Sequence, residues 1–252
     1  MKKILRTIFN KKIFNFVFVI VPIFIWYYPR IHLYSLTYKK KSKVKIYRFA
    51  RRFATVSLKG LRCNLDIQGR EYIENVDSAI FVGNHQSFSD TLMVIKAVKE
   101  EPLHFVAKKE LGKFPGVSRF ITMMGGHFMD RGNRREEIKV MRKVRNDLKY
   151  GNNIVCIFPE GTRTKNENYE MNHFLPGTFN AAVKEKKDII PFAVEGGYNL
   201  LKWRKRMHSD CFLHILKPLK YEDYKDLTTT EIAQIVEDRV RAKQQELHKL
   251  VK

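Results

Sequence analysis

The segment FVGNHQSFSD, residues 81–90, places an imidazole and a carboxylate just after an apolar run. In a β-strand His85 and Asp90 would point to opposite faces, because side chains alternate with a period of two. In a continuous helix the two side chains would lie about 140° apart. Contact therefore requires a turn between them. If the turn exists, Asp90 can fix the tautomer of His85 and stabilise its imidazolium form while the other ring nitrogen acts as a general base.

A helix start would supply this turn. Ser87 and Asp90 match the S-x-x-D capping pattern, which predicts a helix beginning near residue 88 with Asp90 in its first turn. His85 would then lie in the turn before the helix. Taken alone, the segment is better explained by a capping aspartate beside an exposed histidine, so the rest of the chain must decide.

The segment GGHFMDRGN, residues 125–133, places Arg131 at the end of a predicted strand. A guanidinium group is suited to bidentate recognition of phosphate. An ion pair with Asp130 is the simpler explanation of this segment on its own.

The segment IFPEGTRT, residues 157–164, ends a predicted strand in Glu160 and Gly161, followed by Thr162 and Arg163. Gly161 permits a tight backbone, the hydroxyl and amide groups can bind an oxyanion, and Arg163 offers a further phosphate contact. A simple turn does not require this combination. A fourth segment, IIPFAVEG (189–196), has a proline inside an apolar strand, which indicates an edge strand or a bulge near a site.

Apolar runs rich in Val, Ile and Phe alternate with helical patterns in most of the chain. The predicted strands are residues 79–83, 103–107, 126–130, 154–159, 189–194 and 211–216. The predicted helices are 134–149, with Ile138, Met141, Val144 and Leu148 on one face and Gly151 as its stop, then 178–187, then a C-terminal helix that begins with the capping pair Thr228 and Glu231. The alternation predicts an α/β fold in which helices flank a mixed, largely parallel sheet.

Positive charge is concentrated at the N-terminus. Of the net charge of +22, sixteen Lys and Arg precede the first acidic residue, Asp66, which leaves +6 for the rest of the chain. An apolar stretch at residues 13–28 lies within this region and ends in the aromatic residues Trp26, Tyr27 and Tyr28. Basic residues, including the run KKKSKVK (39–45), flank it on both sides. As a helix it would span about 24 Å, less than the roughly 30 Å of a hydrocarbon core.

This composition predicts that residues 1–62 form a basic, membrane-associated helical segment that contacts anionic lipid, and that residues 63–252 form the α/β domain. Dipping and spanning arrangements both stay open. A basic nucleic-acid-binding protein is the alternative of another class, but the apolar stretch and the lack of a zinc-finger or RNP-type sequence disfavour it. The three cysteines lack metal-ligand spacing and suit a reducing cytosol. A metal hydrolase is disfavoured because no HExxH sequence is present.

The order NHQSFSD, GGHFMDR, FPEGTRT and IIPFAV, over residues 80–195, resembles the glycerophospholipid acyltransferase family. It looks most like the 1-acylglycerol-3-phosphate (lysophosphatidate) acyltransferases, whose pattern contains NH-x4-D and FPEGTRS or FPEGTRT. One departure is FLPG at 174–177, where many members have Phe-Lys-x-Gly. Lys108, Lys109 and Lys165 are alternative sources of the missing cation, and the sequence does not choose among them.

The resemblance implies acyl transfer from a thioester to the sn-2 hydroxyl of lysophosphatidate, which yields phosphatidate in phospholipid biosynthesis. An acceptor such as another lysophospholipid or glycerol 3-phosphate is the alternative within the family. The roles it implies are His85 as general base, Asp90 as its orienting carboxylate, Arg131 and Arg163 as phosphate ligands, Glu160 and Gly161 as walls of the acceptor pocket, and backbone amides or Thr162 as oxyanion donors. A covalent route through Ser87 or Ser89 is disfavoured because no G-x-S-x-G sequence is present.

The resemblance also implies the co-substrate of residues 63–252, the acyltransferase domain. No bound cofactor and no metal are expected, because a thioester is already activated; acyl-CoA or acyl-acyl-carrier-protein is the co-substrate. Of the expected partners, lysophosphatidate follows from the resemblance, whereas the anionic membrane surface and an acidic acyl carrier protein docked on basic surface are inferred from the positive charge; no nucleic acid is expected. The active site is expected on the cytoplasmic side of the membrane.

Overall fold

The structure, a computed structural model, describes residues 15–38, 42–99, 102–151, 153–164, 170–200 and 208–251. The strands are β1 (Cys63–Gln68), β2 (Ala79–Gly83), β3 (Leu103–Lys108), β4 (His127–Met129), β5 (Ile154–Ile157), β6 (Ile189–Glu195) and β7 (Ser209–Ile215). The helices are α1 (Val21–Thr37), α2 (Lys43–Gly60), α3 (Phe88–Ala97), α4 (Pro115–Met123), α5 (Arg134–Tyr150), α6 (Asn180–Glu185), α7 (Tyr221–Tyr224) and α8 (Thr229–His248). The basic residues before residue 15, residues 39–41 of the basic run and Lys165 lie outside the described residues.

The seven strands form one sheet in the order β1-β7-β6-β2-β5-β3-β4. Strands β6, β2, β5, β3 and β4 are parallel to one another, whereas β7 is antiparallel to β6 and β1 is parallel to β7. The prediction of a mixed, largely parallel sheet flanked by helices is confirmed. Because five neighbouring strands point the same way, the loops after them meet at one edge of the sheet.

Helices cover both faces of the central strands, which explains their continuous apolar sequences. Every residue of β2 and β5 is buried, as a strand between two helical layers should be. Helices α2 and α3 pack on one face, and α5, α6 and α8 pack on the other. All six predicted strands are present. Strand β1 was not predicted, because it lies at the edge and alternates half-buried with exposed residues.

The proline of the fourth segment is not at a sheet edge, which contradicts that part of its prediction. Pro191 lies in β6, next to Val82 of the central strand β2. On the β7 side its carbonyl accepts from the N–H of Leu216 (2.8 Å), just after β7 has ended, and the next pairing is between Ile189 and Leu219 (3.0 and 2.8 Å). The nitrogen of Pro191, which has no hydrogen to donate, therefore faces a stretch after β7, between Leu216 and Leu219, where the backbone does not pair with β6.

The apolar face predicted for 134–149 is partly wrong, although α5 itself and its end at Gly151 are confirmed. Val144 and Leu148 are buried as predicted, and Val140 is buried with them, but Ile138 is 49% exposed. Ile138 is two residues from Val140, so it points away from the core at about 100° per residue. The predicted helix at 178–187 is shorter, because residues 176–179 form a 3-10 turn before α6.

The helix at the N-terminus is longer than the apolar stretch predicts. One helix among the described residues, Val17–Thr37, has the length and composition to cross a membrane, with a π-helical turn at Phe16–Ile20 and Pro29 inside it. Its 21 residues correspond to about 32 Å. One face packs against the α/β unit, where Phe24 meets Phe53 of α2 edge to face at 5.7 Å. The opposite face exposes large apolar side chains, among them Phe18, Ile25, Trp26, Leu33 and Leu36.

Candidate active site

The turn required between His85 and Asp90 is present. Helix α3 begins at Phe88 with Ser87 as its N-cap, and Asp90 completes the capping box from the first turn. His85 Nδ1 lies 3.0 Å from Asp90 Oδ2, and the carboxylate side chain is fully buried while the imidazole is 18% exposed. The same oxygen accepts the N–H groups of Gln86 (2.6 Å) and Ser87 (2.7 Å). Since the carboxylate only accepts, Nδ1 carries the proton and Nε2 is the basic nitrogen.

The loop that carries His85 is attached to β6 by two side chains. Asn84 donates to the carbonyl of Val194 (2.9 Å) and accepts from its N–H (2.8 Å). Gln86 donates to Glu195 Oε2 at 2.8 Å, and this fully buried carboxylate also contacts Gln244 and His248 of α8. The loop that carries His85 is therefore coupled to the C-terminal helix.

Glu160 organises the loop after β5 and joins it to the His85 loop. Its Oε1 accepts the backbone N–H of His85 at 2.6 Å. Its Oε2 accepts from Thr164 Oγ1 (3.2 Å) and from the backbone and side-chain nitrogens of Asn172 (2.8 and 2.9 Å). Burial raises the pKa of Glu160, and these hydrogen bonds oppose that shift. All of its partners donate, so Glu160 acts here as a structural acceptor.

Arg131 reaches the same edge from the end of β4. An added Cβ at Gly161, whose φ is +73°, would lie 3.9 Å from Arg131 Nη1, so the guanidinium group lies over this glycine. Burial lowers the pKa of Arg131, while Glu110 and Glu137 act in the opposite direction. Thr162 and Arg163 are exposed on the turn beyond Gly161. The structure thus gathers His85, Asp90, Glu160, Gly161 and Arg131 at one edge of the sheet and leaves Thr162 and Arg163 on its outer side.

A cavity of about 820 Å³ opens beside Arg131 and Gly161, between α5 and α6. Its apolar wall includes Met129, Met141, Ile157 and Phe158, and the ring of Phe158 stacks on His85 with centroids 4.0 Å apart. Its cationic wall consists of Arg131, Arg134, Arg142, Arg145 and Lys184, with Glu137 among them. Such a mixture suits a ligand with both an apolar chain and an anionic group.

Several residues of this site were not predicted from the sequence. Asn84 stands inside the first segment and could have been found there, since a buried amide next to a strand end commonly bonds to a neighbouring strand. Glu195 is 109 residues from Gln86, and nothing local indicates their contact. Of the proposed replacements for the missing family lysine, Lys108 pairs with Glu110 and Lys109 with Asp130. Lys184 is a cation in the cavity wall that the sequence did not suggest.

The fold has a close counterpart among solved structures. The crystal structure of the 1-acyl-sn-glycerophosphate (LPA) acyltransferase PlsC from Thermotoga maritima superposes with a TM-score of 0.73 over 98% of each chain, at 24% identity. The two chains therefore share one α/β architecture.

Sequence comparison identifies the family. The family described as Acyltransferase matches residues 64–195, which contain the first three segments singled out above and all but the last residue of the fourth. The chain is 29% identical over 163 residues to the 1-acyl-sn-glycerol-3-phosphate acyltransferase of Saccharomyces cerevisiae, covering 64% of this chain and 54% of that protein. It is 30% identical over 188 residues to the 1-acyl-sn-glycerol-3-phosphate acyltransferase alpha of Ovis aries, covering 73% and 62%. The chain belongs to the acyltransferase family, and it spans less than two thirds of the length of these relatives.

Proposed function

We propose that the protein transfers a fatty acyl group from a thioester to the sn-2 hydroxyl of 1-acylglycerol 3-phosphate, forming phosphatidate. The observation that carries the proposal is the contact of His85 with buried Asp90 at the sheet edge that also presents Arg131 over Gly161. The names of the curated relatives support this acceptor.

In this reaction His85 Nε2 removes the hydroxyl proton as the acceptor oxygen attacks the thioester carbonyl carbon. Asp90 stabilises the resulting imidazolium through Nδ1–H. The tetrahedral intermediate collapses with cleavage of the carbon–sulfur bond, and the departing thiolate takes the proton from His85. No metal or bound cofactor enters these steps. Backbone amides after Glu160 or the Thr162 hydroxyl group stabilise the oxyanion.

The acceptor phosphate is assigned to Arg131, with Arg163 as a second ligand from the exposed turn and Glu160 and Gly161 shaping the pocket between them. The loss of solvent around Arg131 strengthens a charge-assisted hydrogen bond to phosphate. The apolar part of the neighbouring cavity is suited to an acyl chain, and its further cations are suited to the phosphates of either substrate.

We further propose that residues 1–62 attach the protein to the cytoplasmic face of an anionic membrane. The apolar outer face of α1, on which Trp26 is 84% exposed, would lie in the interface while its inner face remains packed against the domain. This arrangement favours an interfacial anchor over a helix surrounded by lipid. Replacing Ile25 and Trp26 with Glu should abolish flotation with anionic liposomes. Tyr150→Glu, which changes an aromatic residue that is 73% exposed and far along the chain, should not.

The acceptor is tested by offering the purified protein lysophosphatidate, lysophosphatidylcholine, lysophosphatidylethanolamine and glycerol 3-phosphate in mixed micelles, with acyl-CoA and acyl-acyl-carrier-protein in separate arms. We expect transfer to lysophosphatidate, and we expect Arg131→Ala to raise the KM for it about tenfold or more, the effect of losing a charged hydrogen bond. Preferred transfer to a neutral-headgroup acceptor would overturn the phosphate assignment. The two donor arms identify the carrier.

A further inference from the structure

A second cluster of chemically active side chains lies near the amino-terminal ends of the parallel strands, opposite to the carboxyl-terminal ends where His85 lies. His104 is near the start of β3, His127 begins β4, and Asp147 is in the last turn of α5, which runs back across the sheet. Strands β3 and β4 are parallel, and His127 pairs with Val106, two residues after His104. Both histidines therefore lie toward the starts of their strands, away from the segment that carries His85 and Asp90. Nothing in the proposed acyl transfer uses these three residues.

The three side chains converge on one point. His104 Nδ1 lies 3.0 Å and His127 Nε2 lies 2.6 Å from the same oxygen, Asp147 Oδ2. The side chains are largely buried, with exposed fractions of 9%, 17% and 19% for His104, His127 and Asp147. The other side of the His104 ring packs closely against Gly125, since a Cβ added to this glycine would lie 2.6 Å from His104 Nε2. The ring is therefore held in place on that side.

This arrangement differs from the other histidine–carboxylate contacts of the chain. Within the part of the chain that the structure describes, His85, His173, His214 and His248 each pair with one carboxylate that no second imidazole shares. Among the described residues, His104, His127 and Asp147 form the one group of three potential metal ligands, with donor atoms within 4.8 Å of one another. Two imidazoles and a carboxylate are a ligand set typical of zinc and related divalent metals.

We propose that His104, His127 and Asp147 bind one divalent transition-metal ion of the zinc class. Tetrahedral ligation at about 2.0–2.1 Å requires donor atoms roughly 3.3 Å apart. Asp147 Oδ2 would therefore lie about 0.3 Å farther from His104 Nδ1 and about 0.7 Å farther from His127 Nε2 than it does now. His104 ligates through Nδ1, His127 through Nε2 and Asp147 through Oδ2. The proton now on each ligating nitrogen leaves to solvent or moves to the other ring nitrogen.

The surroundings provide the fourth position. A cavity of about 380 Å³ adjoins the cluster and is large enough for a water ligand. Lys43 of α2 lines the same cavity, but its ammonium group is bonded to the carbonyl of Gly151 (3.0 Å) and to Asn153 Oδ1 (3.1 Å). The metal would join β3, β4 and α5 beneath the start of α2. It would therefore stabilise this edge of the sheet and leave acyl transfer unchanged.

The test uses the full chain in detergent micelles after treatment with a chelator and dialysis. Titration with Co²⁺, followed by visible absorption, reports the coordination geometry, and calorimetry with Zn²⁺ reports stoichiometry. We expect one ion per chain, an intense tetrahedral-type Co²⁺ spectrum and a higher Tm. In His127→Gln the affinity should fall by at least the 10–100-fold that even outer-shell changes cause. His214→Gln, which removes the imidazole of the single pair with Asp66, is the matched control and should bind as wild type does.

Equal affinity in His127→Gln and wild type would overturn the proposal. So would a weak, octahedral-type Co²⁺ spectrum or less than one ion bound by the wild-type chain, results that do not depend on whether the variant folds. Any of these three outcomes would mean that the cluster is a hydrogen-bonded triad only. Metal binding that is confirmed while acyl transfer is absent would sustain this proposal and reject the proposed function, so the two failures are distinguishable.

Discussion

Replacing Asp90 with Asn removes one charge and leaves most of the local geometry in place. The amide oxygen can accept the three hydrogen bonds that Oδ2 now accepts, from His85, Gln86 and Ser87. The amide nitrogen would take the position of Oδ1, beside Gly197. The variant therefore separates the orientation of His85 from electrostatic stabilisation of its imidazolium form.

The size of the effect follows from Coulomb's law. Two unit charges about 4 Å apart interact by about 4 kcal/mol at an effective dielectric constant of about 20. Since about 1.36 kcal/mol corresponds to tenfold in rate, the full effect is about 10³. The imidazole of His85 is 18% exposed, so solvent screens part of the interaction. We expect kcat to fall by about 10²–10³ with little change in KM, because the imidazolium exists only as the reaction proceeds.

The assay is steady-state acyl transfer to lysophosphatidate with Ser87→Ala as the matched control. Ser87 caps the same helix and accepts from Ser89 Oγ at 3.0 Å, so its loss costs about 1 kcal/mol of stability without touching the base. Ser87→Ala should keep most of its kcat, and rapid quenching should trap no acyl-serine. If Asp90→Asn loses no more activity than Ser87→Ala, or loses it through KM alone, the assigned role of Asp90 is wrong.

Three further predictions concern residues that support the site. Glu195→Ala removes the oxygen to which the buried side chains of Gln86 and Gln244 donate, so the free energy of unfolding in urea should fall by about 1–3 kcal/mol. We also expect kcat to fall at constant KM, and an unchanged kcat would argue against coupling of the His85 loop to α8. Gly197→Ala places a Cβ against Oδ1 of Asp90, so kcat should fall even at temperatures well below the Tm of the variant. A normal kcat with a normal pH–rate profile would contradict this close packing. Burial raises the pKa of Glu237, but the hydrogen bonds to this carboxylate outweigh the effect of burial and lower the pKa below 4.5. The ionised Glu237 carboxylate therefore stabilises the fold above about pH 4.5, and this stabilisation is lost as the pH falls through the lowered pKa. In Glu237→Gln this part of the acid-induced fall in Tm should be missing, and an identical acid dependence would refute it.

The elements that could be predicted are those with local signals. Strands β2 and β5 are short continuous apolar runs, and the start of α3 follows from Ser87 and Asp90. The contact of His85 with Asp90 requires that same capping box, but the capping pattern alone favours a mere helix cap, and only the other three segments indicate that the pair belongs to a site.

The parts that could not be predicted depend on the order of strands in the sheet. Pro191 is compatible with a central strand only because β7 ends beside it. Arg142 and Arg145 line the cavity only because Val140, Val144 and Leu148, rather than Ile138, turn toward the core. The site of His104, His127 and Asp147 likewise forms only once β3, β4 and α5 are placed side by side.

The role of His85 as the general base is tested most directly by comparing phosphatidate formation by wild type and by His85→Gln. His173→Gln is the control, because its imidazole is exposed and pairs with Glu237, away from His85. We expect wild type and His173→Gln to convert lysophosphatidate and acyl thioester to phosphatidate, while kcat in His85→Gln falls by about 10²–10⁴, the usual contribution of a general base. Folded His85→Gln protein that turns over at the wild-type rate would contradict the central claim, as would a wild-type protein that forms no phosphatidate with either donor.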